Sequence, residues 1–333
     1  MYPQRKAQYV QLEAARQSKV IAYITGDRPG METQISPEAY DKFVNHLDTI
    51  GVVGKISLYL YTRGGITLAA WSLINLIRQF CDEFEVIIPS KAHSAGTLMC
   101  LGAKTIVMTK QATLGPIDPS VNTPLNPQIP GASPDARVPV SVEAVNGYLE
   151  LARKELNIQD EVHLTAILNH LSDKIHPLVL GNVFRSKSQI QMLARKLIPA
   201  QVTKEASVQK IISFLCSESG SHDYTIHRRE AKDELGLNIE KPSESLYLLI
   251  KQIYDDIVQD LCLDTKFELG NVLGGQPQAA YSCRRALIES VAGGTDFFAS
   301  EGILVQQQLQ IQPNVIQMAI EDRRTFEGWR HEN

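Results

Sequence analysis

No run in this sequence of 333 residues approaches the roughly 20 consecutive apolar residues that a membrane-spanning helix needs, so stable membrane insertion is not expected. The opening segment, MYPQRKAQYVQLEAARQ, lacks the apolar centre of a secretory leader. Cysteine is scarce and scattered. Cys81, Cys100, Cys216, Cys262 and Cys283 are odd in number, and no CxxC or Cys/His cluster has metal-ligand spacing. That argues against a disulfide framework and a structural metal, and for reduced thiols in a cytoplasmic setting. An excess of one charge is also missing. The formal net charge of −4 provides no electrostatic footprint for nucleic acid or an anionic membrane surface. No GxxxxGK[ST] phosphate loop occurs, and no other motif implies a cofactor, so neither cofactor nor metal is expected.

What is present is ordinary globular material, 44% hydrophobic and 21% charged. The chain is longer than one average domain, so one large α/β core with a smaller unit is the prior expectation. Residues 4–17 read as a short polar helix and residues 19–24 (KVIAYI) as a strand. Ser36, Pro37 and Glu38 form a helix start, with Ser at the N-cap and Pro in the first turn, for a helix running to about residue 50. Residues 56–61 are apolar almost without interruption, as in a parallel strand covered on both faces. A helix over 66–80, a strand over 85–89, a small-residue helix over 97–103 and a strand over 105–108 follow. This β-α-β-α-β order with short links predicts a parallel sheet with right-handed crossovers.

Residues 115–139 carry seven prolines and read as a long loop with a functional or interface role. Helices are expected over about 142–156, 161–172, 186–197, 208–216 and 243–261, with an interruption at 175–178. The segment TIHRREAKDELGL has the rhythm of half a helix-turn-helix. Its basic residues are offset by Glu230, Asp233 and Glu234, so it reads as a winged-helix-like packing module and not as a DNA reader. Three segments are expected: 1–198 as the α/β domain, 199–262 as the helical, winged-helix-like module, and 263–333 as a small β extension.

Two short stretches carry chemistry. Gly64-Gly65 ends an apolar strand, and Ser94 sits in AHSAGT between a strand and a helix. A serine hydroxyl is a poor nucleophile unless a base removes its proton and the developing oxyanion is stabilised. At such a junction the main-chain N–H groups of Ala95 and its neighbours are unpaired donors. Gly65 N–H could be the second. Small residues at Ala95 and Gly96 let a carbonyl approach. Read blandly, Gly-Gly is a tight turn and Ser94 an N-cap.

TRGGITLAA resembles the Gly-Gly oxyanion strand of the Clp-protease/crotonase superfamily, and AHSAGTLMCLGAKTIVMTKQATLGPIDPS resembles the nucleophile segment of its peptidases. The resemblance points to the serine dehydrogenase proteinase family, relatives of signal peptide peptidase A. It is strong over 58–120, patchy through IHPLVLGNVFRS and SHDYTIHRREAKDELGL, and fades after about residue 261. It implies a Clp/crotonase-like β-α-β spiral core and peptide-bond hydrolysis. Ser94 would be the nucleophile, with an oxyanion hole around Gly64, Gly65 and Ala95. It also implies a homo-oligomer with a shielded site, taking peptides or unfolded proteins. With no ATPase motif in the chain, unfolding would need a separate partner.

In Clp-type peptidases a histidine follows the serine by about one strand and one loop. Here Asp118 falls at or beside that position. The lysine of signal peptide peptidase A relatives would fall within 135–152, where this sequence has none; Lys154 lies just outside. His176 falls, in chain order, where Clp-type peptidases keep their third member. The resulting expectation is His176 as base, with Asp118 orienting it or shaping the site. Alternatively, His176 is simply the residue that breaks a helix before Pro177. His93 neighbours Ser94 on an extended strand, points to the opposite face, and reads as structural. His222-Asp223 reads as turn capping. Two other functions fit the same fold. One is a crotonase-type acyl-CoA enzyme, which uses the oxyanion hole without the serine. The other is a catalytically weak peptidase-like scaffold that binds peptides or partners.

Overall fold

A computed structural model describes residues 2–117, 120–133, 135–218, 221, 223–312 and 315–332. The chain runs through helix α1 (Tyr2–Arg16), strand β1 (Lys19–Thr25), helix α2 (Ala39–Ile50), strand β2 (Val53–Tyr61), helix α3 (Thr67–Ile77) and strand β3 (Cys81–Ile88). Strand β4 (Lys91–Ala92), helix α4 (Ala95–Leu101), strand β5 (Thr105–Met108) and strand β6 (Thr113–Leu114) come next. Strands β7 (Ser120–Val121), within the proline-rich stretch, and β8 (Val140–Ser141), just after it, pair antiparallel. Helices α5 (Val142–Glu150), α6 (Glu161–Lys174), α7 (Pro177–Leu197) and α8 (Glu205–Ser213) follow. The chain then forms strand β9 (Ile226–His227), strand β10 (Ile239–Glu240), helix α9 (Glu244–Leu261) and helix α10 (Leu269–Leu273). It ends with strands β11 (Gln278–Ser290), β12 (Gly294–Gln312) and β13 (Val315–Glu332).

One eight-stranded sheet in the order β10-β5-β3-β2-β1-β11-β12-β13 unites these elements. β10, β5, β3, β2 and β1 run parallel, and β11 to β13 add antiparallel strands on the far side of β1. The α/β class and the β-α-β-α-β order match the expectation from sequence. The uninterrupted apolar runs have the predicted cause. Successive side chains of a strand point to opposite faces, and both faces here are covered. Ile21 and Tyr23 enter the core beneath α2, α3 and α4, while Val20, Ala22 and Ile24 enter the core beneath α1 and α9. Leu58 and Leu60 divide from Tyr59 and Tyr61 in the same way.

The starts of α2 and α7 differ from the sequence reading for identifiable reasons. α2 begins at Ala39, because Ser36 to Glu38 make a turn in which Ala39 N–H and Tyr40 N–H donate to Ser36 O and Pro37 O. Just before that turn, Ile35 is held extended by donating to Gly64 O and accepting from Ile66 N–H. α7 begins at Pro177 and not at 186. Proline is favourable in the first turn, where its missing N–H needs no partner.

The three segments expected from sequence share this sheet. Residues of 199–262 supply the edge strand β10, and residues of 263–333 supply β11 to β13. A buried ion cluster also crosses the proposed boundaries. Arg5, fully buried, donates to Glu289 at 2.9 and 2.6 Å, to Asp256 at 2.8 Å and to Asp260 at 2.7 Å. Among the described residues no helix is long and apolar enough to cross a membrane.

Candidate active site

The site is assembled where β2 and β4 run side by side. Thr62 N–H donates to Lys91 O and His93 N–H donates to Thr62 O, both at 3.1 Å, so residues 62–64 lie alongside 91–94. Buried Thr62 is the hub. Its Oγ1 accepts from Thr25 Oγ1 at 2.6 Å and from Gly64 N–H at 2.9 Å. Gly96 sits in α4 because a methyl group there would come 2.4 Å from Thr62 Cγ2.

Ser94 occupies the turn from β4 into α4 with φ 52° and ψ −116°. Cys262, by contrast, ends its helix in the ordinary left-handed well, at φ 50° and ψ 44°. For a residue with a Cβ, the Ser94 conformation costs on the order of 1–3 kcal/mol, and such strain gathers at functional sites. The bland N-cap reading fails on two counts. The Ser94 backbone is not in the extended region, and its side chain makes no capping hydrogen bond. The side chain is half-buried, and Oγ makes no hydrogen bond among the described residues.

Gly64 and Gly65 face this turn. Both have positive φ, 119° and 144°, in a region that favours glycine. A methyl group on Gly64 would come 2.7 Å from Ser94 Cβ and 3.2 Å from its Oγ, so the absent side chain is what lets Ser94 approach the strand. A methyl group on Gly65 would strike Ile35 O at 2.4 Å. Gly64 N–H is engaged by Thr62, whereas the N–H groups of Gly65 and Ala95 meet no acceptor among the described residues. The positions expected to form an oxyanion hole thus divide into one amide that is engaged and two that are open.

The other candidates lie apart from this group. His176 is exposed and caps α7, its Nδ1 accepting from Leu178 N–H at 3.2 Å. No hydrogen bond joins it to Ser94. Lys154 is exposed and paired with Glu150 at 3.0 Å. Asp118 and His222 lie outside the described residues. His93 Nε2 is 2.9 Å from Thr113 Oγ1, and its ring packs against Gly115. This ring ties β4 to β6. Thr97 Oγ1, at 2.7 Å from Gly115 O, does the same for α4.

A residue without a local motif holds both walls of the site. Asp27 follows β1, and its Oδ2 accepts from Arg63 Nε at 2.8 Å and from Lys91 Nζ at 2.9 Å, while its Oδ1 accepts from Tyr61 OH at 2.6 Å. Arg63 precedes the glycine pair, and Lys91 lies three positions before Ser94. Burial alone would raise the Asp27 carboxyl, but the hydrogen bonds from Tyr61, Lys91 and Arg63 outweigh it and hold the pKa below the ordinary carboxylate value. Its stabilisation is therefore complete above the unfolded-state pKa of about 4 and is lost as pH falls through the lower folded-state value. Asp27→Asn is expected to cost about 1–3 kcal/mol at neutral pH. In urea melts the gap between parent and variant should close on acidification below about pH 4. A gap that stays constant to pH 2 would show that the charge of Asp27 contributes nothing.

Residues 41–134 match the family of ClpP-like SDH-type serine proteinases. The matched span contains both stretches singled out in the sequence. Two uncharacterised proteins of Methanocaldococcus jannaschii are each 28% identical to this chain, over 198 and 184 residues. The alignments cover 59% and 55% of this chain, and the chain spans only 57% and 51% of those relatives' length. Among solved structures, a serine-to-alanine mutant of the 1510-N membrane-bound stomatin-specific protease aligns with 17% identity and a TM-score of 0.37, covering 70% of this chain and 85% of that one. ClpP1 from Listeria monocytogenes aligns with 14% identity and a TM-score of 0.37, covering 71% of this chain and 98% of that one.

Proposed function

We propose that this chain, which carries the ClpP-like SDH-type serine proteinase family over residues 41–134, hydrolyses peptide bonds through an acyl-enzyme on Ser94. The backbone of Ser94 is the observation that carries the reading. A serine held at φ 52° and ψ −116° on a strand-to-helix turn, with a hydroxyl that caps nothing, has the conformation of a nucleophile elbow. Attack by Oγ on a carbonyl would leave the oxyanion to the N–H groups of Gly65 and Ala95. Such donors are each worth about 2.7–4 kcal/mol in the transition state. A groove of about 740 Å³ lined by Tyr40, Ile66, Leu68, Trp71 and Leu76 begins at the residue after Gly65. Its apolar lining supports a substrate with side chains, as a peptide has. A homo-oligomer and a cytoplasmic location belong to the same proposal, on the resemblance and the composition alone.

The base is proposed to be His176, released from its cap. While Nδ1 accepts from Leu178 N–H, the neutral ring carries its proton on Nε2 and cannot take one from serine there. Leaving the cap would cost α7 about 1 kcal/mol. The same observation favours a second reading, a scaffold whose serine is dormant.

Fluorophosphonate labelling followed by peptide mass mapping separates the two. The expected result is a single adduct on Ser94. No adduct on the folded oligomer or monomer would overturn the peptidase reading and leave the scaffold. His176→Asn keeps a good cap and removes the imidazole. If His176 is the base, this variant loses labelling at full thermal stability. Unchanged labelling returns His176 to capping alone.

A further inference from the structure

Away from Ser94, the segment after β9 gathers cations around one cavity. Arg228, Arg229, Lys232 and Lys241 line a space of about 270 Å³ with Ile239 and a single carboxylate, Asp233. In sequence these cations are interleaved with acids, so no basic signal survives averaging. The fold sorts them. Glu230 is turned to Tyr224 OH at 2.7 Å, and Glu240 is held by Arg16 at 2.6 and 2.8 Å. Arg228 donates to a main-chain oxygen, Met108 O, at 3.3 Å. Arg229, Lys232 and Lys241 make no hydrogen bond or ion pair among the described residues. Four cations converging around one carboxylate, on a chain whose net charge is −4, repel one another unless an anion joins them.

The position also suits a ligand. β5 and β10 are parallel to each other and to β3. Met108 is the last residue of β5 and Lys241 the first after β10, so the cavity lies at the carboxyl ends of these strands, where open α/β sheets bind ligands. Ser94 follows the carboxyl end of β3, at the same end of the sheet. β9, which leads directly into Arg228, pairs with β6, and β6 pairs with β4 just before Ser94.

We propose that this cavity binds a phosphate-class oxyanion, free or as the phosphate of an ester. Two guanidinium groups offer planar forks that bind such oxyanions through paired N–H bonds, and two ammonium groups add compact charge. The volume is near the lower end of small-ligand cavities, about 300 Å³, which fits a phosphate with a small organic group. Asp233 opposes any anion there, and a dianion more than a monoanion, but four cations against one carboxylate still favour the dianion. This site stands independently of the chemistry at Ser94.

Isothermal titration of the full chain with inorganic phosphate and with phenyl phosphate, at ionic strength held constant with chloride, tests the assignment. At least one probe is expected to bind, and which of the two binds more tightly tells free anion from ester. Arg229→Gln combined with Lys241→Gln should weaken binding at least tenfold. Asp233→Asn should tighten it several-fold, a gain that loss of folding cannot imitate. All three side chains are exposed, so the variants should fold. The assignment is overturned if neither probe binds, if affinity is the same in the double variant, or if only a glutamate-rich peptide or an oligonucleotide binds.

Discussion

Ser94→Ala is expected to lower peptide hydrolysis at least about 10⁴-fold, as loss of a serine nucleophile does in proteases with a complete site. The variant should bind substrate peptides as the parent does, because the oxyanion amides and the groove at Ile66 are untouched. The loss should therefore appear in kcat and not in KM. The strained backbone provides a second readout. Alanine keeps the Cβ that makes φ 52° unfavourable, whereas glycine removes it. Ser94→Gly should therefore be more stable than Ser94→Ala by about 1 kcal/mol, although both are inactive. Equal turnover by Ser94→Ala and parent would remove Ser94 from the chemistry. Equal stability of the two variants would remove the strain argument.

The largest stability effect is expected at Arg5. Its guanidinium is fully buried, and Glu289, equally buried, accepts two of its hydrogen bonds. Burial alone would push the guanidinium towards losing its charge. The bonds to Glu289 outweigh this, with the charges of Glu289 and Asp260 adding to them, and keep it ionised. Tyr9 OH at 2.7 Å and Thr295 Oγ1 at 3.0 Å fill the remaining positions on the Glu289 carboxylate. Arg5→Ala leaves that carboxylate in the interior without its cation, and removing one partner of a buried pair costs about 3–5 kcal/mol. Urea or thermal melts should show this loss. Arg5→Met together with Glu289→Leu, which removes both charges, should recover most of it. A loss below about 1 kcal/mol for Arg5→Ala would place the stability of this region in packing and not in the ion cluster.

The parallel half of the fold was legible because its signals are local. Runs such as KVIAYI and ISLYLY are apolar without alternation, and that pattern needs both faces covered whatever the partner. Gly64-Gly65 and Ser94 were legible for the same reason, as small residues at the ends of strands. Asp27 was not. It lies 36 positions from Arg63 and 64 from Lys91, and no spacing rule links them. The helix start at Pro177 was misplaced because proline stops one helix and opens another with the same side chain. Of the proposed triad, His176 was found in a capping geometry that its neighbour Pro177 had already hinted at.

Composition and local pattern alone determined that this chain is an α/β protein with a parallel core and a small-residue turn at Ser94. Those properties follow from short-range sterics and from which side chains prefer to leave water. Only the tertiary structure decided the rest. It attached β11 to β13 to β1, turned Ser94 into a strained non-capping residue against Gly64, and engaged Glu230 and Glu240 away from the cations beside them. Each of these depends on contacts between residues far apart in the chain. Such contacts are set by the packing of whole faces, and no window of neighbouring residues contains them.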